Sequence, residues 1–372
     1  MHPTLPVGSY DWDPRRLPKE EFTDRIQAFW EAIPDASAAV VYGDSRNHAE
    51  LIYLSNFVPK LGPAFLLLPR HGEPLLLASG APNMLPAARR MTWIERTQPL
   101  RDAGKQVVQW MGESGSLKDH QIALVGGEYL RAAVCRSLNE ALPPKSPRAD
   151  ATALLQKLMR CKRPRELRLI GTSCSILNVA AKALAQAKHS GAGATDAILE
   201  AERVAHHAGA QDVRTLFSID GGRTLRPFEA PIARAVDPLQ AYVAVRYAGY
   251  WAEGFIAVAN SEHAALKKAA DGLKSIVNGA RAGARCRDLL RLAAEGIAPY
   301  DAHAITKGNM GAGIGLSLSE EPQLLAASED VLGADCVYTL RVGASDGRQH
   351  HAIVSAMIAV HRDRSEVLWS TV

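Results

Sequence analysis

The sequence predicts a two-domain α/β (α+β) protein. The chain has 372 residues, of which 47% are hydrophobic, and single hydrophobic cores seldom extend beyond about 250–300 residues. Short apolar runs alternate with helical patterns up to residue 142, which is typical of a small α/β domain. The proline-rich segment at residues 143–147 then interrupts regular structure. We therefore place the domains at residues 1–147 and 148–372.

Periodicity of the apolar residues assigns the elements of the first domain. Pro34-Asp35 ends the first helix, and the turn-rich Pro69-Arg70-His71-Gly72 predicts a hairpin between the second and third strands. The predicted helices cover residues 21–33, 100–112 and 129–142, and the predicted strands cover 38–42, 65–68, 74–77 and 121–125.

The second domain begins with helices and ends with strands. The segment Tyr242–Glu253 is predicted as a strand, a turn and a second strand, because Ala248-Gly249 interrupts two apolar runs. The predicted helices cover residues 151–161, 167–189, 195–207, 262–280 and 286–296, and the other predicted strands cover 213–219, 316–318, 337–341 and 353–360.

Composition excludes several classes of protein. The chain has 43 basic and 39 acidic residues without a basic block, so we expect no nucleic-acid partner. It has no 18-residue apolar run and no charged leader before an apolar core, so we expect a cytoplasmic protein without a membrane partner. The five cysteines are scattered and form no C-x-x-C pair, which argues against a disulfide framework and predicts buried, reduced thiols.

The most informative stretch is Lys307–Pro322, KGNMGAGIGLSLSEEP, with glycine at every second position from Gly311 to Gly315. Glycine weakens a strand, so a glycine series marks a bulge or a close approach by a ligand or another backbone. We therefore expect this stretch to lie at the functional site.

This stretch resembles the Gly-His-Gly-Ile-Gly-Leu-x-x-His-Glu-x-Pro signature of the creatinase/aminopeptidase P/prolidase (peptidase M24) superfamily. Glu50–Phe57 is similar to the Asn-Ile-x-Tyr-Leu-(Ser/Thr)-Gly-Phe segment of creatinase-type amino-terminal domains. The resemblance implies a small creatinase-type α/β domain followed by a pita-bread domain. It also implies a homodimer.

The resemblance fails at the metal ligands. Metal-using members hold two divalent ions with two aspartates eleven positions apart, a histidine and two late glutamates. The corresponding residues of this chain are Tyr242, Glu253, Ala312, Arg341 and Ser355. One carboxylate of five is left, and Arg341 places a fixed positive charge where a metal cation would bind. At about 4 Å two unit positive charges repel by roughly 4 kcal/mol at an effective dielectric of about 20. We therefore expect no metal, and no other cofactor is indicated.

Loss of the metal leaves acid–base chemistry open. Creatinase, a superfamily member, cleaves a carbon–nitrogen bond without metal, with a histidine and glutamates as proton carriers. Glu253 aligns with an acidic group there. An enclosed, apolar site would raise its pKa and make it a proton carrier, whereas a pair with Arg341 would keep it ionised for orientation.

Further candidates lie near the same predicted site. Strand alternation places His351 on the side of Ser355, where it is either a proton carrier or a histidine of a polar hairpin. Glu320 occupies the place of the signature acid and is a candidate catalytic group.

Five residues are candidates for substrate binding. Three arginines suit a carboxylate, because a guanidinium can bind two oxygens; Arg341 is the preferred one, with a buried pair to Glu253 or Glu320 as the alternative. The candidate substrate-binding residues are Arg341, Tyr242, Arg246, Arg223 and Ser355.

The sequence thus predicts a metal-independent, creatinase-like hydrolase acting on a C–N bond of a small polar, carboxylated substrate. Two alternatives remain open: a non-catalytic binding protein of the same fold, or an enzyme recruited to a lyase, isomerase or cyclase step of a biosynthetic pathway.

Overall fold

The computed structural model describes residues 10–113, 121–142, 148–228, 232, 236–295, 309–325, 328–346 and 350–372. Contacts divide the chain into two compact units, of which the first ends at Met159 and the second begins at Arg160. The predicted link at residues 143–147 lies outside the described residues.

The first unit is built on a mixed sheet with the strand order β4-β3-β2-β1-β5-β6. Strand β1 pairs antiparallel with β2 and parallel with β5. The helices are α1 (Lys19–Ala32), α2 (Ala49–Ser55), α3 (Leu85–Arg90), α4 (Ala103–Glu113), α5 (Ala132–Ala141) and α6 (Thr152–Arg160), and the strands are β1 (Ala36–Gly43), β2 (Ala64–Pro69), β3 (Leu75–Ala78), β4 (Arg96–Pro99), β5 (Gln121–Val125) and β6 (Arg148–Asp150).

Continuous apolar runs explain this sheet. Strands β2 and β3 are buried at every position, as expected of strands that are covered on both faces. Phe65, Leu67 and Leu77 pack with Val107 and Trp110 of α4 in one core. The antiparallel β2–β3 pair confirms the predicted hairpin. Apolar periodicity did not reveal α3, β4 or β6, which are short and in part exposed.

The second unit contains two antiparallel sheets within its described residues, one of strand order β7-β8-β9 and one of order β11-β10-β12-β13-β14. The helices are α7 (Pro164–His189), α8 (Ala194–His207), α9 (Ala264–Gly279) and α10 (Cys286–Glu295), and the strands are β7 (Asp212–Ser218), β8 (Leu239–Tyr247), β9 (Tyr250–Val258), β10 (Asn309–Gly313), β11 (Glu320–Leu325), β12 (Cys336–Ser345), β13 (His351–Val360) and β14 (Ser365–Ser370).

Helices cover one face of the five-stranded sheet. Leu273 and Ile276 of α9 share a buried core with Leu340 and Val342 of β12 and with Val354 of β13. Because side chains alternate along a strand, the residues between these core positions face the other way. The opposite face, which packs against β9, therefore carries the polar positions of β12 and β13 on which the site is built.

One predicted strand is wrong. Leu316–Leu318 is not a strand; β10 precedes it and ends at Gly313. The amide groups of Leu316 and Ser317 donate hydrogen bonds to Glu320 Oε1, at 3.0 and 3.3 Å, in place of a sheet ladder. Strands β11 and β14 were not predicted.

Close backbone approach explains the first glycine of the series. Gly311 has a φ of 144°, and a Cβ on it would lie 1.8 Å from the carbonyl oxygen of Thr339 on the neighbouring strand β12. A side chain there is sterically impossible without movement of the sheet. Of the two explanations that the sequence allowed, backbone approach accounts for Gly311.

Helix α7 is, by length and composition alone, long and apolar enough to cross a membrane; no other helix among the described residues is. Its neighbours are β8, β9 and α8 of the second unit, so its contacts are those of a core helix.

The cysteines are free thiols, as expected. The expectation that all are buried was wrong: Cys161 is exposed and Cys135 is partly exposed, whereas Cys174, Cys286 and Cys336 are buried.

Candidate functional site

A tyrosine–glutamate pair on the β8–β9 hairpin forms the centre of the site. Tyr242 lies opposite Phe255, and Ala244 lies opposite Glu253, so strand alternation puts Tyr242, Glu253 and Phe255 on one face. The Tyr242 hydroxyl donates a hydrogen bond of 2.6 Å to Glu253 Oε2. Glu253 is 5% exposed. The pair is thus a buried acid with a fixed phenol donor.

Burial dominates the protonation of both groups. It raises the pKa of Glu253, and the Tyr242 hydrogen bond and the positive charge of Arg341 oppose this only in part. Burial, followed by the charge of Glu253, also raises the pKa of Tyr242. The phenol therefore stays protonated as a donor, while the carboxyl group keeps its proton to a higher pH than an exposed glutamate does.

Arg341 lies on β12 directly opposite Ser355 of β13. Its Nη2 donates to Asn309 Oδ1 at 2.9 Å, and its Nε–H points to the Asn309 carbonyl oxygen at 3.4 Å. Its guanidinium carbon lies 5.7 Å from the ring centroid of Phe255. Neither of the ion pairs considered from the sequence, with Glu253 or with Glu320, is formed. Asn309 is uncharged, so Arg341 forms no ion pair with a carboxylate among the described residues, although its charge still acts on Glu253.

The structure brings the five positions of the family's metal ligands into one region. The Phe255 amide donates to Ser355 Oγ at 2.7 Å, which joins β9 to β13. Ala312 lies opposite Thr339. The Thr339 hydroxyl lowers the pKa of Glu253, although it forms no hydrogen bond of normal geometry. The five positions that the resemblance assigned to metal ligands thus lie on strands that contact one another.

The side chains at these positions do not fit a divalent cation. Divalent ions in such sites require several oxygen or imidazole ligands. Here the single carboxylate bonds to Tyr242, Ser355 Oγ accepts a backbone hydrogen bond, Ala312 has no donor atom, and Arg341 is cationic. In the parts of the chain that the structure describes, no group of three or more His, Cys, Asp or Glu side chains is arranged to hold a metal.

His351 and Arg223 belong to a neighbouring region. His351 opens β13, on the face of Ser355 but four residues before it, which is about 13 Å along a strand. Its amide donates to the Gly221 carbonyl at 2.8 Å. Arg223 is exposed in the same loop, where its amide donates to Asp220 Oδ1 at 3.1 Å. The loop after β7 thus connects these two candidates.

Arg246 and Glu320 have structural partners. The Arg246 guanidinium lies 3.4 Å from Asp212 Oδ2 and 5.1 Å from the Trp251 ring centroid. Glu320 Oε2 pairs with Lys162 Nζ at 2.5 Å, and its other oxygen accepts the amides of the preceding turn. Both side chains hold their surroundings in place, and none of these contacts involves Glu253 or Arg341.

The sequence reasoning missed three residues that shape the site: Asn309, Thr339 and Phe255. Thr339 and Arg341 are two positions apart on β12, so alternation gave a signal for Thr339. Phe255 is likewise two positions after Glu253. Asn309 had no such signal, because it lies on β10, 32 positions before Arg341, and alternation along β12 does not reach it.

Two antiparallel sheets with helices packed on them, and a site on the strand faces, define the pita-bread class that the sequence predicted. The sequence profile described as metallopeptidase family M24 matches residues 168–361. The chain belongs to this family. The sequence matches no curated protein.

Solved structures agree with this fold. The chain is similar to a prolidase from Pyrococcus horikoshii OT3, with 16% identity over 94% of this chain and 97% of that chain and a TM-score of 0.74. An X-Pro aminopeptidase from Thermotoga maritima MSB8 gives 17% identity over 94% and 97%, with a TM-score of 0.75. The N-terminal domain of the FACT complex subunit SPT16 from Cicer arietinum gives 14% identity over 95% and 97%, with a TM-score of 0.70. At these identities the likeness establishes the fold.

Proposed function

We propose that this protein is a metal-independent hydrolase that cleaves a C–N bond of a small polar, carboxylated substrate. The observation that carries the proposal is the Tyr242–Glu253 pair, a buried carboxyl group of raised pKa beside a cationic guanidinium that has no carboxylate partner among the described residues. Acid–base catalysis needs a group that titrates near the working pH. Membership of family M24 supports the hydrolase class.

Arg341 serves as the carboxylate clamp in this proposal. Asn309 holds the guanidinium from one side through Nη2, and a planar fork can still present further N–H groups to a substrate carboxylate. Phe255 gives the adjacent surface an apolar wall. The substrate would therefore carry its anionic end at Arg341 and its scissile carbon toward Glu253.

Glu253 moves the proton of hydrolysis. Its ionised carboxyl group takes a proton from water as the water oxygen bonds to the substrate carbon. The protonated group then passes that proton to the nitrogen as the carbon–nitrogen bond breaks, and the amine leaves. Tyr242, held protonated, orients Glu253 throughout. His351 is retained as a second proton carrier for a substrate long enough to reach it, and Arg223 is its neighbouring anion contact. Glu320, Arg246 and Ser355 support the site through the contacts described above.

The experiment uses creatine, N-carbamoyl amino acids and Xaa-Pro dipeptides as probes, with and without a chelator. We expect the wild-type chain to turn over at least one probe class in the presence of EDTA. Glu253→Gln should lower kcat by about 10²–10⁴-fold while leaving probe binding within about threefold of wild type. Activity that disappears with EDTA and returns with Mn²⁺, or full activity in Glu253→Gln, would refute the proposal.

A binding protein of the same fold is the second candidate. It is favoured by the replacement of the family's metal ligands, because Ala312 has no polar side-chain atom and the Ser355 hydroxyl already accepts a backbone hydrogen bond. One protein of similar fold is named as a subunit of a complex. Under this alternative, a carboxylated probe binds wild type and Glu253→Gln equally, and no probe is turned over by either.

The proposal also covers the location, the oligomeric state and the partners of the protein. We propose a cytoplasmic homodimer that acts on small molecules without nucleic-acid or membrane partners. Sedimentation equilibrium should give twice the chain mass of 40.1 kDa.

A further inference from the structure

Two cysteines of the second unit lie directly opposite each other. Cys161 and Cys336 form an isolated antiparallel β-bridge. The flanking Lys162 amide donates to the Asp335 carbonyl at 2.6 Å, which identifies the cysteines as a pair without hydrogen bonds between them. In such pairs the Cα atoms are about 4.5 Å apart and the side chains approach most closely. This separation falls inside the range of about 4.4–6.8 Å found for disulfides.

The two sulfur atoms share their surroundings. Cys161 Sγ lies 3.8 Å and Cys336 Sγ 3.4 Å from the carbonyl oxygen of Ala334. Cys161 is exposed, whereas Cys336 is 6% exposed. Burial raises the pKa of Cys336 to about 11; the nearby Cys161 adds to this rise, and the positive charge of Lys162 opposes it. An accessible thiol therefore lies beside a protected one.

We propose that Cys161 and Cys336 are a redox modification site that closes reversibly to a cross-strand disulfide when a small-molecule disulfide such as oxidised glutathione is present. The inference does not depend on the proposed catalysis, because it uses neither Glu253 nor Arg341. It requires no rearrangement of the sheet, since the bridge already sets the spacing.

The chemistry proceeds in two exchanges. The Cys161 thiolate attacks one sulfur of oxidised glutathione, the S–S bond of glutathione breaks, and one glutathione leaves as a thiol after taking up a proton. Cys336 then loses its proton and attacks the sulfur of Cys161 in the mixed disulfide, releasing the second glutathione. Two protein thiols are oxidised by two electrons in total, and one glutathione disulfide is reduced to two thiols.

The position of the pair gives the disulfide a structural effect. It joins the residue that directly follows α6 to the first residue of β12, and the closed loop spans 336 − 161 = 175 positions. Closing a long loop restricts the unfolded chain strongly. Lys162, which pairs with Glu320, directly follows Cys161. The disulfide would therefore anchor the segment between α6 and α7 that supports the turn after β10.

The test oxidises the full chain with a series of glutathione ratios and traps remaining thiols with iodoacetamide. Before alkylation, we expect the intact mass to fall by the two hydrogens lost. After alkylation under unfolding conditions, the oxidised chain should carry two fewer carbamidomethyl groups than the reduced chain, and unreduced tryptic maps should contain a cross-linked peptide of Cys161 and Cys336. Dithiothreitol should reverse both changes. The oxidised chain should also unfold at a temperature several degrees higher than the reduced chain.

Three variants complete the test. Cys161→Ser, at an exposed position, should lower the cross-linked peptide to background, and Cys336→Ser should leave Cys161 with a lasting glutathione adduct. Cys135→Ser, the matched control in the first unit, should leave the yield unchanged. A wild-type chain that keeps glutathione on Cys161, or that joins two chains through Cys161, would overturn the proposal.

Discussion

Opposing effects act on the pKa of Glu253. Burial favours the neutral form, while the Tyr242 hydroxyl and the Arg341 charge favour the ionised form, and burial is the largest of these effects. The sequence left this competition open between a proton carrier and an ion pair. Because Arg341 bonds to Asn309, the arrangement agrees with the proton carrier.

The raised pKa of Glu253 makes stability depend on pH. A folded-state pKa above the unfolded value of about 4.3 contributes stability that is fully present below that value and is lost as the pH rises through the folded pKa. Glu253→Gln removes this titration. The free energy of unfolding of the variant relative to wild type should therefore increase with pH above about 4.3, by at most about 1.4 kcal/mol per pH unit. Urea unfolding at pH 4 to 8 measures it, and parallel curves would contradict the shift.

Arg341 should determine anion binding. Arg341→Gln removes the charge and part of the guanidinium fork, so the Kd of any carboxylated probe that binds wild type should rise at least tenfold, or about 1.4 kcal/mol. Arg203→Gln is the matched control, because Arg203 is exposed on α8 and paired with Glu200. Calorimetric titration measures both. Equal binding by Arg341→Gln and wild type would exclude the clamp.

At the scale of elements, the turn between β10 and β11 depends on one buried ion pair. Lys162 Nζ lies 2.5 Å from Glu320 Oε2, with side-chain exposures of 2% and 11%. The other oxygen of Glu320 accepts two amides of the turn. The pair thus fixes the segment that links the glycine strand to its neighbour.

Removal of one partner should be costly. Lys162→Met leaves Glu320 buried without a counter-ion, and we expect a loss of about 3 kcal/mol, the lower end of the usual range because Glu320 is not fully buried. The double variant Lys162→Met/Glu320→Gln should recover part of the loss. Chemical unfolding of the three chains checks this, and a loss below about 1 kcal/mol in the single variant would show that the pair is dispensable.

Strand β10 should tolerate no side chain at Gly311. The Cβ of alanine would lie 1.8 Å from a backbone oxygen at a φ of 144°, so Gly311→Ala should lose about 3 kcal/mol or more. Gly171→Ala is the matched control, because this glycine lies inside α7 with no atom within 4 Å of the added Cβ. It should gain about 0.5–1 kcal/mol. Thermal unfolding separates the two, and similar melting temperatures would contradict the packing argument.

At the scale of the whole molecule, sequence spacing predicted the fold better than the chemistry. Apolar periodicity found most of the central strands but missed the edge strands of the two larger sheets, and the glycine series indicated the family. The eleven-residue interval between Tyr242 and Glu253 placed both on one face of a hairpin. Partners distant in sequence were beyond such reasoning. Lys162 and Glu320 are 158 positions apart, and Asn309 and Arg341 are 32 positions apart on different strands.

The central claim is that the fold of a metallopeptidase family is kept here with side chains that do not hold the family's metal. The most direct test is anomalous X-ray scattering from crystals soaked in Mn²⁺ and in Zn²⁺. We predict no anomalous peak within coordination distance, about 2.0–2.3 Å, of the Glu253 carboxylate. A peak at that distance from Glu253, at full occupancy, would contradict the account.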